Sequence, residues 1–261
     1  MEIGINLNCY PNLDVQTQIR LMQQSGFTAA FILADAPNLN QAICACKQGG
    51  IRIENLHAPF VGVNALWQNS ADGERYFESQ MRAVDACAQN GVPTLVVHLS
   101  SKTPPPLVSP IGILRLETLC AHAKQNGVTL AFENQRSLGN LATVLERFAD
   151  AGFCYDVGHE FCFTTGIDFM SIFSSRLAAV HVHDNHAVPD GDEHLIPFDG
   201  VIDYDVVAKK LARANYKGAV MLELVADKNA AYLAISPEEY YKRAGVAARK
   251  IADLVEKYKN S

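Results

Sequence analysis

Residues 178–203 read AAVHVHDNHAVPDGDEHLIPFDGVID, a short apolar run that turns abruptly into histidine and acid. The apolar run predicts a buried strand, which leads into His181 and Asp184. Asp192 and His194 follow on a polar loop. Imidazole and carboxylate side chains together are common ligands of divalent metal ions. If other strands of the chain end in the same way, this segment predicts a metal site at one edge of a sheet.

On both sides of this stretch, predicted strands alternate with predicted helices. Short apolar runs predict strands over residues 3–8, 27–33, 52–57, 94–98, 128–133, 153–156, 178–183 and 219–224. Helical spacing of apolar residues predicts helices over residues 15–25, 39–48, 74–90, 111–126, 140–149, 169–175, 205–214 and 237–258. Gly26, Gly91 and Gly127 end three of these helices just before a strand, as glycine commonly does.

Eight strand–helix units in roughly 250 residues predict an α/β fold, a single-domain (β/α)8 TIM barrel. An open, doubly wound sheet is the alternative. The count of eight argues against it, and so does the lack of a GxGxxG motif after the first strand. Because no linker or break in composition interrupts the chain, we expect one domain over residues 1–261.

Composition excludes several classes of protein. Apolar residues make up 49% of the 261 residues and charged residues 19%, which suits a folded protein with a large core. The net charge is −6 and no long basic run is present, which disfavours nucleic acid as a partner. No run of 18 apolar residues predicts a membrane span, and the first residues do not resemble a signal peptide. Seven scattered cysteines are therefore expected to be free thiols in a reducing cytoplasm.

The carboxyl ends of the predicted strands carry the candidate site, because TIM barrels place their active sites there. Six consecutive strands end in, or carry near their end, a side chain that can bind a metal: His57, His98, Glu133, Asp156, His181 and Glu223. His159, Asp192 and His194 follow closely enough to reach the same edge. Any one of these residues alone is better explained by packing or hydrogen bonding. Three carboxylates buried together without a counter-charge are very costly, and the nearest basic residues in sequence are only Lys102 and Arg136. A divalent cation is the simplest compensation.

Other polar and aromatic residues are assigned to packing or left open. His122 lies on a predicted helix, and His186 lies on a loop. His183 follows His181 on the same predicted strand, and we expect it to face the helices instead of the site. Phe60 and Trp67, on the loop after the third strand, are expected either to cover a substrate or to pack the top of the barrel.

Seven short motifs resemble one known family. They are His57-Ala58-Pro59, Val97-His98, Phe132-Glu133-Asn134, Asp156-Val157-Gly158-His159, His181-Val182-His183-Asp184-Asn185, Asp192-Glu193-His194-Leu195 and Leu222-Glu223. With them, nearly the whole chain resembles the xylose isomerase-like TIM barrels. That superfamily contains sugar and sugar phosphate isomerases and epimerases, and also endonuclease IV.

The resemblance implies a metal-ligand set. In the epimerases, Glu, Asp, His and Glu on successive strands hold one divalent metal, which implies Glu133, Asp156, His181 and Glu223 here. Endonuclease IV holds three zinc ions with nine ligands. This chain has a matching residue at all nine positions, the additional five being His57, His98, His159, Asp192 and His194. Zinc, manganese, cobalt or iron would suit these ligands, with one to three ions per chain.

One position departs from the family pattern. The family usually has a Pro-Gly-x-Gly turn after Asp-x-His-Leu, whereas this chain reads Pro197-Phe198-Asp199-Gly200. If the first glycine normally has a positive φ angle, Phe198 predicts a different loop. That would displace Asp192 and His194 from the positions they hold in three-metal enzymes.

Two enzymatic functions fit these residues. The first is a metal-dependent isomerase or epimerase of a small keto-sugar or sugar phosphate, acting through a metal-stabilised enediolate. Glu133 and Glu223 would exchange the substrate proton. By resemblance His159 would contact substrate oxygens, and Arg136 would bind a phosphate or hydroxyl group unless it forms a surface ion pair. His57 and Trp67 are further candidates for substrate contact.

The second function is that of an endonuclease IV-like, multi-zinc hydrolase of phosphodiesters or phosphate esters. The nine ligand positions favour it. The loops at residues 34–40 and 58–73 contain no Lys or Arg to meet phosphates, which disfavours it. A third alternative is a non-catalytic barrel that keeps a metal. The sequence leaves the substrate, the metal and a homo-oligomeric state open.

Overall fold

Eight parallel strands form the centre of the protein, in a computed structural model that describes residues 1–260. The strands are β1 Ile3–Asn6, β2 Ala29–Leu33, β3 Arg52–His57, β4 Thr94–Val97, β5 Thr129–Glu133, β6 Gly152–Asp156, β7 Leu177–His181 and β8 Val220–Leu222. Their order in the sheet is β7-β6-β5-β4-β3-β2-β1-β8, so consecutive strands are neighbours in the sheet except for β7 and β8, and β8 pairs with β1. The predicted (β/α)8 barrel is confirmed.

The barrel is nearly closed between β7 and β8. Val182, directly after β7, forms a parallel bridge with Leu222. Its amide donates to the Met221 carbonyl at 2.9 Å, and the Glu223 amide donates to the Val182 carbonyl at 3.0 Å. Closure brings residues that follow β7 and β8 to the same rim as those that follow β5 and β6.

Helices surround the strands. They are α1 Val15–Gln24, α2 Leu39–Gln48, α3 Ala71–Asn90, α4 Pro110–Gln125, α5 Leu138–Arg147, α6 Val157–Cys162, α7 Phe169–Phe173, α8 Tyr204–Arg213, α9 Ala230–Leu233 and α10 Pro237–Lys259. The longer helices begin where a side chain caps the first turn, for example Ser70 at Gly73 of α3 and Ser109 at Gly112 of α4. The sequence did not predict α6 and α9, which are too short to show helical periodicity.

The barrel interior supports the site from below. Val96, Ala131, Cys154 and Ala179, from β4 to β7, form a buried apolar cluster separate from the main strand–helix core. Ala29, Phe31, Ala219 and Met221 form a second such cluster. Gly4 makes room for this second cluster, because a Cβ there would lie 2.6 Å from the Met221 sulfur.

Two further predictions concern membranes and cysteines. Among residues 1–260, no helix is long and apolar enough to cross a membrane. All seven cysteines lie within the described residues and are free thiols, as predicted.

Candidate metal centre

Four side chains at the carboxyl ends of β5 to β8 converge on one point, and we call them the carboxylate site: Glu133, Asp156, His181 and Glu223. Each stands two residues after an inward-facing residue of the interior clusters, so the period of two along a strand points all four into the barrel. Their ligand atoms lie within 4.8 Å of one another. Nδ1 of His181 lies 3.2 Å from Oε2 of Glu133 and 3.1 Å from Oε2 of Glu223.

The carboxylate site has the polar atoms that a metal needs. Both ring nitrogens of His181 and Oδ2 of Asp156 are buried and have no hydrogen-bond partner among residues 1–260. An unpaired buried polar atom costs about 1–3 kcal/mol, and three in one place call for a common partner. Three carboxylates and one imidazole match the ligand chemistry of a divalent cation.

The electrostatics of the site couple these groups tightly. Burial works against the ionised form of Glu133, but His98 and His159 outweigh burial and hold its carboxyl pKa well below the usual value. Burial likewise lowers the pKa of His159, whereas Asp156 and Glu133 raise it, with a result of about 10. In the metal-free protein Glu133 is therefore ionised, and a proton on His159 balances its charge. A metal ion would displace that proton, so binding would weaken as the pH falls.

A second group joins His57 and His98 to Glu133. Nδ1 of His57 lies 2.7 Å from the Ala58 carbonyl, which fixes the proton on that nitrogen. Nε2 of His57 is then an acceptor, and it lies 3.1 Å from Nε2 of His98. That nitrogen of His98 is 3.3 Å from Oε1 of Glu133. The amide nitrogen of Gln135 enters the same space, 3.2 Å from Nε2 of His98.

A third group, which we call the histidine site, consists of His159, His183, Asp192 and His194. Nδ1 of His194 lies 2.9 Å from the Glu223 carbonyl and donates to it, so Nε2 has a free lone pair. That nitrogen is 3.0 Å from Oδ2 of Asp192. A proton on Nε2 makes this contact a hydrogen bond, and a cation between the two atoms would take the place of that proton. All nine residues of the predicted ligand set therefore lie in three adjoining groups.

The prediction that His183 faces the helices is wrong. Residues two apart on a strand share a face, so His183 points inward like His181. The ring is fully buried, with Nε2 3.1 Å from Oδ1 of Asp156. Gly158 makes this possible, because a Cβ there would overlap the His183 ring. The period of two and the glycine in Asp156-Val-Gly-His159 were the signals that could have identified it.

The expectation that Phe198 forces a different loop is also wrong. Phe198 adopts φ +76°, the conformation that glycine would take, and its amide donates to Oδ2 of Asp184 at 2.8 Å. The ring lies 4.9 Å from the Tyr204 ring and beneath the Lys250 ammonium. The left-handed backbone costs a non-glycine residue roughly 1–2 kcal/mol, which these contacts offset. Asp192 and His194 still reach the histidine site.

The predicted substrate-contacting residues differ in their surroundings. Nε of Arg136 donates to Oδ1 of Asp190 at 2.7 Å, and its guanidinium stacks on Phe163. Of the two predicted roles for Arg136, the structure therefore shows the ion pair. Trp67 is 4% exposed and donates to the Leu99 carbonyl, so it packs the top of the barrel. Phe60 is 40% exposed, and its ring lies 5.4 Å from His98 and 5.6 Å from His57.

Two residues that the sequence did not indicate also border the site. Sγ of Cys154 lies 4.0 Å from Oε2 of Glu133, on the floor below the carboxylate site. Nε2 of Gln135 donates to Oε1 of Glu133 at 3.0 Å and lies 3.1 Å from Nδ1 of His159. Nothing in their sequence context distinguishes Cys154 from a core thiol or Gln135 from a loop residue.

Comparison with known proteins identifies the family of this fold. The family model described as the xylose isomerase-like TIM barrel matches residues 14–257. The chain belongs to this family. One curated relative is the uncharacterized protein y4fM of Sinorhizobium fredii (strain NBRC 101917 / NGR234). It is 25% identical over 288 residues, covering 92% of this chain and 89% of the relative.

Solved structures share the xylose isomerase-like fold over the whole chain. A D-tagatose 3-epimerase-like protein has a TM-score of 0.74 at 19% identity, covering 100% of this chain and 98% of that one. The E. coli 3-keto-D-glucoside 4-epimerase YcjR has a TM-score of 0.73 at 17% identity, covering 96% and 99%. The IOLI protein with a binding zinc atom has a TM-score of 0.76 at 15% identity, covering 99% of each chain.

Proposed function

We propose that this protein is a metal-dependent isomerase or epimerase of a small keto-sugar. The observation that carries the proposal is the placement of Glu133 and Glu223 beside the same ring nitrogen, Nδ1 of His181, at 3.2 and 3.1 Å. Two carboxylates around one metal position give a substrate carbon a proton acceptor and a proton donor. The names of two structural neighbours, a D-tagatose 3-epimerase-like protein and a 3-keto-D-glucoside 4-epimerase, support the same reaction class.

Glu133, Asp156, His181 and Glu223 would hold the metal, for which manganese, cobalt or zinc is suitable. Bound there, the metal would supply positive charge for the negative charge that develops on the substrate oxygens. The unpaired buried atoms of His181 and Asp156 are the observation in favour of this fit.

The two glutamates have different surroundings, and this suggests different roles. The Glu133 side chain is fully buried, and Oε1 accepts from Gln135 at 3.0 Å. The Glu223 side chain is 17% exposed. Glu223 is therefore the better placed to remove the proton beside the carbonyl group, and Glu133 to return it to the other face or the next carbon. His159 and His57 are available to contact substrate hydroxyl groups.

The charges beside the site favour an uncharged sugar over a sugar phosphate. Arg136 is paired with Asp190, and Lys228 is 3.3 Å from Oδ2 of Asp192. A phosphate group would have to break one of these pairs to bind either cation. The finer substrate choice within the keto-sugars depends on the loops around the mouth.

The test is exchange of substrate protons with solvent. Purified protein loaded with Mn²⁺, Co²⁺ or Zn²⁺ is incubated in D2O with a panel of free ketoses and ketose phosphates, and deuterium at carbon is measured by NMR. We expect deuterium incorporation with a free ketose. Glu223→Gln should lower the rate about 10²–10⁴-fold, the usual contribution of a general base.

Glu193→Gln is the matched control, because Glu193 is a rim carboxylate that contacts His186 instead of the site. It should leave the rate unchanged. If no sugar incorporates deuterium with any of the three metals, the proposed function is wrong. Equal rates for Glu223→Gln and the wild type would remove Glu223 from the proton transfer.

Hydrolysis of phosphate esters is the second candidate, and the convergence of all nine predicted ligands favours it. It needs two or three metals that clamp one phosphate. The net charge of −6 and the pairing of Arg136 and Lys228 make it the weaker proposal. Metal-dependent cleavage of abasic-site DNA or of bis(p-nitrophenyl) phosphate, without any deuterium exchange in sugars, would reverse this ranking.

A further inference from the structure

The carboxylate of Asp190, on the loop after β7, is bound by side chains from two other loops of the barrel mouth. Nε of Arg136, on the loop after β5, donates to Oδ1 at 2.7 Å. The hydroxyl of Thr103, on the loop after β4, lies 3.2 Å from Oδ1 and 3.1 Å from Oδ2 and donates to the carboxylate. Arginine with a neighbouring hydroxyl group is a common way to bind a carboxylate or phosphate ligand. Asp190 therefore occupies a place that is suited to an external anion.

We propose that Arg136 and Thr103 form an anion subsite beside the candidate active site, and that Asp190 fills this subsite in place of a ligand. The ligand class is a phosphate group at the far end of a substrate. Asp190 is then a specificity residue, because its carboxylate excludes phosphorylated ketoses and leaves uncharged ketoses as substrates. The statement about ketoses rests on the proposed function, whereas the binding of phosphate does not.

The anion subsite adjoins the carboxylate site without being part of it. The guanidinium carbon of Arg136 lies 3.5 Å from the centre of the Phe163 ring, and that ring stacks on the His159 ring with centroids 4.6 Å apart. Nδ1 of His159 is in turn 2.8 Å from Oε1 of Glu133. An anion bound to Arg136 would therefore lie one aromatic ring beyond His159. That place suits a group at the end of a sugar chain, away from the carbon that exchanges its proton.

Arg136 has unused capacity to bind an anion. A guanidinium carries several N–H donors, and among residues 1–260 only Nε of Arg136 donates to a protein group. Nη1 and Nη2 are free to form the paired hydrogen bonds that arginine makes with phosphate. The Arg136 side chain is 15% exposed, whereas that of Asp190 is 51% exposed. Because the stacked guanidinium is enclosed and the carboxylate is not, Asp190 is the partner that a ligand would displace.

A carboxylate attached to the same chain competes strongly with a free anion. Its effective concentration at Arg136 is on the order of millimolar, as for groups joined by a short linker. The hydrogen bond from Arg136 holds the pKa of the Asp190 carboxyl below its usual value, so the group is ionised at neutral pH. The loop also fixes Asp190 from the other side, because its amide donates to the Cys162 carbonyl at 3.0 Å. Phosphate below the millimolar range should therefore leave the wild-type subsite filled by Asp190.

Binding of inorganic phosphate to metal-free protein tests the subsite without catalysis. Protein freed of metal with EDTA is titrated with phosphate, and the dissociation constant is measured by phosphorus NMR. Asp190→Asn removes the charge but suits the same backbone, since asparagine accepts the observed φ of +58° as aspartate does. This variant should bind phosphate about 10- to 100-fold more tightly than the wild type, the usual contribution of hydrogen bonds to a charged group. Combining it with Arg136→Gln should abolish the gain.

Glu193→Gln is the matched control, because it removes one carboxylate from the same loop and leaves Asp190 in place. Glu193 pairs with His186 instead of Arg136, so this variant should bind phosphate as weakly as the wild type. Equal binding by Asp190→Asn and Glu193→Gln would overturn the proposal. So would binding by the wild type as tight as that of Asp190→Asn, or a gain that survives Arg136→Gln. Asp190→Gly, which also accepts a positive φ angle, takes the place of Asp190→Asn if that variant does not fold.

Deuterium exchange with metal-loaded protein separates this proposal from the proposed function. Asp190→Asn should raise kcat/KM for a ketose phosphate relative to the free ketose by about the same factor as for phosphate binding, mainly through KM. An unchanged ratio would overturn the role of Asp190 in specificity. If the variant binds phosphate but no sugar exchanges deuterium, the proposed function is wrong and the subsite stands. If the wild type exchanges deuterium into a free ketose but all variants bind phosphate equally, the subsite is wrong and the proposed function stands.

Discussion

Gly158→Ala provides a direct test of how tightly His183 is held. Gly158 is the second residue of α6, and a methyl group on it would overlap three atoms of the His183 ring. The ring cannot move away easily, because it is fully buried and stacked on His194 at 4.1 Å. For this substitution, helix propensity predicts a rise in the free energy of unfolding, whereas packing predicts a fall.

Two magnitudes decide the expected result. Replacing glycine by alanine inside a helix stabilises by at most about 1 kcal/mol. Forcing extra volume into a well-packed site costs about 1–3 kcal/mol, and the fixed ring places this case near the upper end. The free energy of unfolding should therefore fall by about 2 kcal/mol, which lowers Tm by about 4–8 °C in a chain of this size.

The assay is urea and thermal unfolding in the presence of EDTA, so that packing is measured apart from metal binding. Gly139→Ala is the matched control. Gly139 also lies in the first turn of a helix, but the nearest heavy atom to a Cβ there, among the described residues, is Oγ of Ser137 at 3.8 Å. The control should be as stable as the wild type or up to about 1 kcal/mol more stable. If Gly158→Ala is stabilised like the control, the His183 ring is not packed as described.

Three further results are expected. Tyr216→Phe should lower the free energy of unfolding by about 1.5 kcal/mol in urea denaturation, because it removes a 3.1 Å hydrogen bond to the buried carboxylate of Glu54. An unchanged midpoint would mean that this bond contributes nothing. Asp184→Asn should cost about 1–3 kcal/mol, since its NH₂ group would face the Phe198 amide that now donates to Oδ2 at 2.8 Å. Thermal unfolding of the variant beside the wild type measures this loss, and equal Tm values would contradict it. Zn²⁺ at 100 times its dissociation constant should stabilise metal-free protein by about 2.7 kcal/mol per site, seen as a rise in Tm that EDTA reverses. A Tm that does not respond to Zn²⁺ would contradict every metal site described above.

The sequence alone predicted the architecture, which the structure confirms, and most residues of the candidate site. Strand and helix periodicity predicted eight units, and β3 and α2 match the predicted bounds at both ends. Histidines and carboxylates at strand ends predicted one shared rim, because parallel strands in a closed barrel all point their carboxyl ends the same way. These features are local, since they depend only on spacing along the chain.

Tertiary structure decided which of these residues meet, and in what groups. Whether Arg136 binds a ligand or Asp190 depends on a loop 54 residues away in the chain, and no local pattern encodes that contact. The conformation of Phe198 depends on an amide that finds Asp184, whose carboxylate outweighs the intrinsic preference of phenylalanine for negative φ. The inward position of His183 was readable from the period of two, but its pairing with Asp156 was not. Burial and distance between side chains arise only when the barrel closes, and they divide one list of ligands into a carboxylate site and a histidine site.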